Sequence, residues 1–165
     1  MMKKIKWITW ILTATIYVNA SAQTSDKPTP ILDHIAFYVK NIDSSVRFYT
    51  KIFQLDTVSM PFKNAPVRWF SISPGVQLHL IQGAKKNVEV PELSHVCFSV
   101  TSLSRFIAML KQNNIPFDDS QGNKNAIQKR PDGVNQIFVR DPDGYWIEVN
   151  DRAHLDSSPP LKCFL

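Results

Sequence analysis

Four side chains that commonly bind metals lie inside apolar, strand-like segments of this sequence. They are three histidines and one glutamate: His34, His79, His95 and Glu148. A polar group buried among apolar residues is unfavourable unless a partner satisfies it, and unpaired charges are more unfavourable still. One divalent cation would satisfy all four side chains at once. The pattern therefore predicts a metal centre with these four residues as ligands.

The donor set limits which metal can be expected. Three imidazoles and one carboxylate suit Zn, Ni, Co, Mn or Fe(II) better than Mg or Ca, which prefer oxygen ligands. A divalent ion with a single carboxylate ligand keeps a net charge of about +1 and can act as a Lewis acid. Such a centre attracts an anionic pair of oxygen atoms, so we expect a small oxygen-bearing molecule as the substrate.

The elements that must position these residues follow from hydrophobic periodicity. Alternating apolar residues predict strands, and an apolar stripe with helical spacing predicts a helix. The predicted strands are 32–39, 55–61, 66–73, 76–82, 93–100, a short extended segment around 115–117, 134–141 and 145–151. One predicted helix is capped by Asn41 or Asp43 and ends near Gln54, and the other spans 103–113. The turn residues Ser73-Pro74-Gly75 join two of these strands into a hairpin. The order of elements indicates an α+β fold.

The two halves of the sequence repeat the same order of elements. A shift of 61 residues superimposes LDHIAFYV on LSHVCFSV and His34 on His95. A shift of 69 residues superimposes SPGVQLHL on PDGYWIEV and His79 on Glu148. The difference of eight residues indicates an insertion in the middle loop of the second half. The sequence thus predicts two tandem βαβββ modules, 31–83 and 93–151, and each carries one candidate ligand on its first strand and one on its last.

These segments resemble the vicinal oxygen chelate superfamily, which includes glyoxalase I, fosfomycin and bleomycin resistance proteins, and extradiol dioxygenases. The resemblance rests on LDHIAFYVKNIDSSVRFYTKIFQLDTV at 32–58, LHL at 78–80, LSHVCFSV at 93–100 and FVRDPDGYWIEV at 138–149. It implies a glyoxalase-like fold in which the curved sheets of both modules form a cleft around the metal, with the four ligands at the positions given above. It also implies that Glu148 is the catalytic base, removing a proton from the carbon beside a carbonyl.

Side chains two residues apart on a strand share a face, which predicts the neighbours of the ligands. Residues on the same faces are Gln77 for His79, Ala36 and then Tyr38 for His34, Trp146 and Asn150 for Glu148, and Cys97 and then Ser99 for His95. We expect Gln77, Tyr38, Trp146 and Asn150 to line a substrate cleft. His154 lies beyond the last strand and is not expected to be a ligand.

Three kinds of function are compatible with these residues. The preferred one is a metal-dependent lyase or isomerase of glyoxalase I type. His79 stands where many bacterial glyoxalases have a carboxylate, which leaves Glu148 as the one carboxylate in the set. The first alternative is a non-haem Fe(II) extradiol-type dioxygenase, and the second is a non-catalytic drug- or metabolite-binding module like the bleomycin-resistance proteins. Proteins of the last kind usually lack the metal residues, so the four retained residues favour an enzyme.

The ends of the chain predict export. Residues 1–22 combine Lys3, Lys4 and Lys6 with an apolar run and the small residues Ala20-Ser21-Ala22, a pattern typical of a secretory signal peptide. A polar linker at 23–30 precedes the domain, and a flexible tail is expected at 152–165. The sequence therefore predicts a periplasmic or secreted protein with no membrane association after the signal is cleaved.

Charge and cysteine content limit the possible partners. Three of the 19 basic residues and none of the 14 acidic ones lie in the signal peptide, so cleavage lowers the formal charge from +5 to +2. No long basic cluster remains, which argues against nucleic acid as a partner. Cys97 in an apolar strand and Cys163 in a Pro-Pro tail could form one disulfide, although their contexts favour two free thiols. The sequence is compatible with a monomer or a homodimer.

Overall fold

The computed structural model describes residues 30–155. The predicted signal peptide, all but the last residue of the predicted linker, and residues 156–165 lie outside the described residues, and so does Cys163. The first four residues of the predicted tail form a short helix, α3, at Arg152–Leu155. None of the helices within the described part is long and apolar enough to cross a membrane.

The first module contains four strands and one helix. Its elements are β1 at His34–Val39, α1 at Ile42–Ile52, β2 at Thr57–Val58, β3 at Val67–Ser73 and β4 at Val76–Gln82. The sheet order is β1-β4-β3-β2, with β1 parallel to β4 and the other pairs antiparallel. The predicted hairpin is present, since Ser73 pairs with Val76 across the β3–β4 turn.

The second module repeats this arrangement with one additional strand. Its elements are β5 at His95–Ser99, α2 at Leu103–Gln112, β6 at Phe117–Asp118, β7 at Gln128–Lys129, β8 at Asn135–Arg140 and β9 at Trp146–Asn150. The sheet order is β5-β9-β8-β6, with β5 parallel to β9, and β7 also pairs with β8. Two βαβββ modules in an α+β fold are thereby confirmed.

The insertion in the second module lies where the two registration shifts place it. Residues 59–66 connect β2 to β3, eight in all, whereas residues 119–134 connect β6 to β8, sixteen in all. Strand β7 lies in this longer connection, and its polar sequence gave no strand signal.

Both helices begin at a residue whose side chain caps the first turn. The Ser44 amide donates to the Asn41 side chain at α1, and the Arg105 amide donates to the Ser102 hydroxyl at α2. Tyr49 and Ile52 of α1 are buried against the core face of the first sheet. The first module also contributes Phe70, Leu78 and Leu80 to this core. The core continues into the second module with Leu110, Ile137, Val139, Ile147 and Val149. The core therefore occupies one face of each sheet, and the candidate ligands lie on the opposite faces.

The β8–β9 turn of the second module packs against the first module. Tyr49 donates its hydroxyl to Asp141 over 2.8 Å, and Ser45 donates to Asp143 over 2.6 Å. The backbone amide of Lys40 also donates to Asp143, over 2.7 Å. The Asp-Pro-Asp-Gly sequence at 141–144 therefore has a structural role, because its two carboxylates hold α1 and the residue that follows β1 against the second module.

Candidate metal centre

His34 and His79 form a pair on the first sheet. Strands β1 and β4 are parallel neighbours, with Ala36 opposite His79, so the two histidines project from the same face. Their rings stack with centroids 4.2 Å apart and an interplanar angle of 13°. Trp69 of β3 stacks on the other side of His79, at 4.3 Å and 8°. The ring of His79 thus lies between those of His34 and Trp69, and the ring of His34 lies at the end of the stack.

The hydrogen bonds of this pair orient its ring nitrogens. His34 donates Nδ1–H to the Asp33 carboxylate over 2.6 Å, which leaves Nε2 free to face a ligand. His79 places Nε2 2.8 Å from the Gln77 side-chain oxygen. The lone pair of an imidazole nitrogen lies in the ring plane, so two stacked rings can reach one ion only if at least one of them turns out of the stack.

Burial lowers the pKa of His79, and the neighbouring His34 lowers it further, whereas the Asp33 carboxylate acts in the opposite direction. A lowered pKa favours the neutral imidazole. The neutral form is the one that binds metals, because a protonated nitrogen has no lone pair to offer.

His95 and Glu148 form a second pair on the other sheet. His95 donates Nδ1–H to the Glu92 carbonyl over 2.9 Å and directs Nε2 at Glu148 Oε2, 3.2 Å away. Since a backbone carbonyl can only accept, the remaining nitrogen faces the carboxylate. Two lone pairs facing each other would repel, so this contact is favourable only with a proton or a cation between the atoms.

The other oxygen of Glu148 is surrounded by donors from the protein. Oε1 receives hydrogen bonds from Asn150 over 2.8 Å and from the Cys97 thiol over 3.2 Å. The Arg130 guanidinium lies 3.5 Å from the same oxygen. Burial and the bond to Glu148 raise the pKa of Cys97 to about 12. Cys97 is therefore a thiol that donates, rather than a reactive thiolate.

The structure brings the four predicted ligands together as two pairs and not as one group. Within residues 30–155 of a single chain, no set of three or more His, Cys, Asp or Glu side chains is arranged to hold a metal ion. The described part of one chain therefore does not bring all four predicted ligands into one group. The pairs project from two sheets that share no strand ladder, and alternation along a strand specifies a face without specifying how far apart two faces lie. Metal binding by these residues stays a prediction.

Two of the four predicted cleft residues contact candidate ligands, Gln77 beside His79 and Asn150 beside Glu148. Trp146 is buried beneath the guanidinium of Arg140, 4.1 Å from its ring centroid, and Tyr38 is 52% exposed. Neither observation gives Trp146 or Tyr38 a contact with a candidate ligand.

Sequence reasoning missed two residues that contact the pairs. Trp69 stacks on His79, and the 69-residue shift that pairs His79 with Glu148 also pairs Trp69 with Phe138, which packs edge-on against His95 at 5.2 Å. Comparing the two modules in this register could therefore have identified Trp69 as a neighbour of His79. Arg130 gave no such signal, because it lies in the inserted connection and has no counterpart in the first module.

The nitrogen and oxygen donors of both pairs suit a divalent ion by their chemistry, and a further hydrogen bond holds each of the four side chains. Comparison with known proteins gives the family. A family model described as Glyoxalase/Bleomycin resistance protein/Dioxygenase superfamily matches residues 31–149. The chain belongs to this superfamily. The family membership that the sequence motifs predicted is thus confirmed. Members of this superfamily generally use a divalent metal ion.

Similar proteins include enzymes named as glyoxalases and lyases. Glyoxylase I 4 of Arabidopsis thaliana is 26% identical over 135 residues, covering 78% of this chain and 72% of the relative. Lactoylglutathione lyase of Schizosaccharomyces pombe is also 26% identical, covering 87% of this chain and 54% of the relative. This chain therefore spans only about half the length of the yeast enzyme. Among solved structures, Oxidase ChaP-H2 superimposes with a TM-score of 0.60 at 16% identity, covering 76% of this chain and 95% of the other, a likeness that shows the fold alone.

Proposed function

We propose that this protein is a divalent-metal-dependent lyase or isomerase of glyoxalase I type that acts on a small oxygen-bearing substrate. In this proposal His34 and His79 of one chain, together with His95 and Glu148 of a second copy, hold each ion. The observation that carries it is the arrangement of the donors as two pairs, since each pair supplies only two protein ligands and a catalytic ion usually takes three or more. The glyoxalase and lyase names of the relatives support the reaction class.

Two copies complete the ligand set by symmetry. In a two-fold dimer each surface patch meets the partner patch reciprocally, so two chains would form two equivalent sites. Each site would then contain three imidazoles and one carboxylate. This arrangement is compatible with the separation of the two pairs in one chain, because each pair would meet its complement on the second copy.

The protein side chains divide the chemistry between them. The metal would supply Lewis acidity, polarising a substrate carbonyl. Glu148 Oε2, the oxygen not taken up by Asn150 and Cys97, would release its bond to the ion and accept the proton from the carbon beside that carbonyl. Only 6% of the Glu148 surface is exposed, so little bulk water reaches the carboxylate to compete with it for that proton. The three histidines would hold the ion as neutral ligands.

Elemental analysis of protein purified without added metal tests the proposal first. We expect a divalent transition metal in wild-type protein and a large loss of it in His79→Ala and Glu148→Ala. Arg47→Gln on the exposed face of α1 is the matched control and should retain the metal. Wild-type protein that takes up no divalent metal under any loading condition would disprove the proposal and leave a binding module as the remaining reading.

Mixing two defective variants tests the sharing of the site between chains. His34→Ala/His79→Ala and His95→Ala/Glu148→Ala each destroy both sites of their own homodimer. A mixed dimer keeps one intact site, formed by the unaltered pairs of the two chains. We therefore expect metal binding to reappear after the variants are unfolded together and refolded, at about half the wild-type content in mixed dimers. Failure to recover binding, with dimers present, would exclude the shared site.

The same metal-loaded protein separates lyase or isomerase chemistry from oxygenation. Oxygen uptake with a catechol after Fe(II) loading would favour the dioxygenase alternative, and we expect none.

We further propose that the domain acts after export. Cell fractionation with detection of the mature N-terminus tests this, and recovery of an uncleaved chain in the cytoplasm would contradict it.

A further inference from the structure

Glu148 presents two unequal oxygens. Oε1 accepts from Asn150 and Cys97 and lies beside the Arg130 guanidinium, whereas among residues 30–155 the polar neighbour of Oε2 is the imidazole of His95. The groups that surround Oε1 and make the two oxygens different are all side chains. A carboxylate without these donors could rotate and bind a metal through both oxygens.

Cys97 and Asn150 form a closed hydrogen-bonded triangle with Glu148. The side-chain amide of Asn150 donates one hydrogen to Glu148 Oε1 and directs the other at Cys97 Sγ, over 3.1 Å. The Cys97 thiol completes the triangle by donating to Oε1. Cys97 and Glu148 are direct partners across the β5–β9 ladder, and Asn150 lies two residues further along β9 on the same face. The sheet therefore fixes all three side chains.

Arg130 adds a charged third contact that is itself anchored. Its guanidinium donates to both carboxylate oxygens of Asp132, over 3.2 and 2.7 Å, and Arg152 also donates to Asp132, over 2.6 Å. Asp132 thus occupies two of the five N–H donors of Arg130, and a third points at Glu148 Oε1. Asp132 therefore holds the guanidinium of Arg130 beside Glu148 Oε1.

We propose that Cys97 and Asn150 are positioning residues that make Glu148 act through Oε2 alone. Glu148 then binds the metal through one oxygen and keeps a defined direction for proton transfer. This inference rests on the proposed metal site. It changes the expected role of Asn150, which supports the ligand instead of lining the substrate cleft.

Co²⁺ is a suitable probe, because its visible absorption reports coordination number as well as binding. Cys97→Ala and Asn150→Leu each remove a donor without changing charge, so an effect on cation binding comes from geometry. We expect each to raise the Kd for Co²⁺ by about 10-fold or more, as is usual when support to a metal ligand is lost. We also expect weaker visible bands, because a carboxylate that binds through both oxygens raises the coordination number.

Cys97→Ser keeps a donor of similar size and should restore the affinity and spectrum of the wild type. Asn113→Leu removes one side-chain hydrogen bond at the end of α2, from Asn113 to the Met109 carbonyl, and serves as the matched control for stability. Arg130 stays unchanged in every variant, since loss of its charge would by itself alter cation affinity.

The outcomes separate this inference from the proposed function. If wild-type protein binds no Co²⁺, the metal site itself is disproved. If wild-type protein binds Co²⁺ and Cys97→Ala and Asn150→Leu match it in affinity and spectrum, the positioning role alone is overturned. Should Asn150→Leu fail to fold, the Cys97→Ala and Cys97→Ser pair decides the question.

Discussion

At the scale of single residues, Asp141 shows how burial and hydrogen bonding compete. Burial raises its pKa to about 6, while the Tyr49 hydroxyl and the backbone amides of Tyr145 and Asp143 favour the charged form and lower it, and the nearby Asp143 carboxylate raises it. Desolvation wins. The unfolded chain releases this proton near the ordinary value for aspartate, so this group contributes less to stability as the pH rises from about 4 to about 6.

Tyr49→Phe should destabilise the protein more above pH 6 than below it. Burial, together with the charge of Asp141, raises the pKa of Tyr49, so its hydroxyl remains a donor throughout this range. Removing a donor to a charged group costs about 1.5–3 kcal/mol, against about 1 kcal/mol for a neutral pair. Urea unfolding at pH 4.5 and pH 8 measures both values. The half-exposed Tyr38 supplies the control Tyr38→Phe, and an equal loss at both pH values would contradict the assignment.

At the scale of elements, the β8–β9 turn shows why one position requires glycine. Gly144 has φ +95°, and a Cβ placed there would lie 2.8 Å from the Val88 carbonyl oxygen. The same connector donates the Val88 amide to the Asp143 carbonyl over 2.8 Å. The turn therefore docks against the link between the modules as well as against α1.

Gly144→Ala should lower the free energy of unfolding by about 2–3 kcal/mol, because backbone strain and a close contact act together. Its counterpart Gly75 has φ +73° but no heavy atom within 4 Å of a built Cβ. Gly75→Ala should therefore cost only about 1 kcal/mol, from the left-handed backbone. Denaturant unfolding of both variants tests the comparison. Equal losses would mean that the close approach of Val88 contributes nothing.

The inserted connection is the element that makes the two modules chemically different. It brings Arg130, paired with Asp132, to Glu148, whereas residues 59–66 of the first module bring no such charge pair to His79. The first module instead supports its ligand with Gln77 and the ring of Trp69.

At the scale of the whole molecule, metal binding and association should be linked. A ligand that binds only the folded state at 100 times its Kd stabilises that state by about 2.7 kcal/mol. We expect Co²⁺ to raise the Tm of wild-type protein, EDTA to reverse the rise, and the dimer fraction in sedimentation experiments to increase with metal. The His34→Ala/His79→Ala variant should show none of these effects. A monomer that binds metal at full occupancy would contradict the shared site.

The sequence by itself determined the order of elements, the two modules, the eight-residue insertion and the residues that share a strand face. These are local properties: hydrophobic periodicity follows the backbone repeat, and Gln77 or Asn150 must lie on the face of the ligand two residues away. Tertiary structure alone decided that His34 and His79 remain apart from His95 and Glu148 in one chain, that Arg130 reaches Glu148, and that Trp146 lies beneath Arg140. Those outcomes depend on how two sheets pack and on the path of a loop, and no repeat along a strand encodes either one.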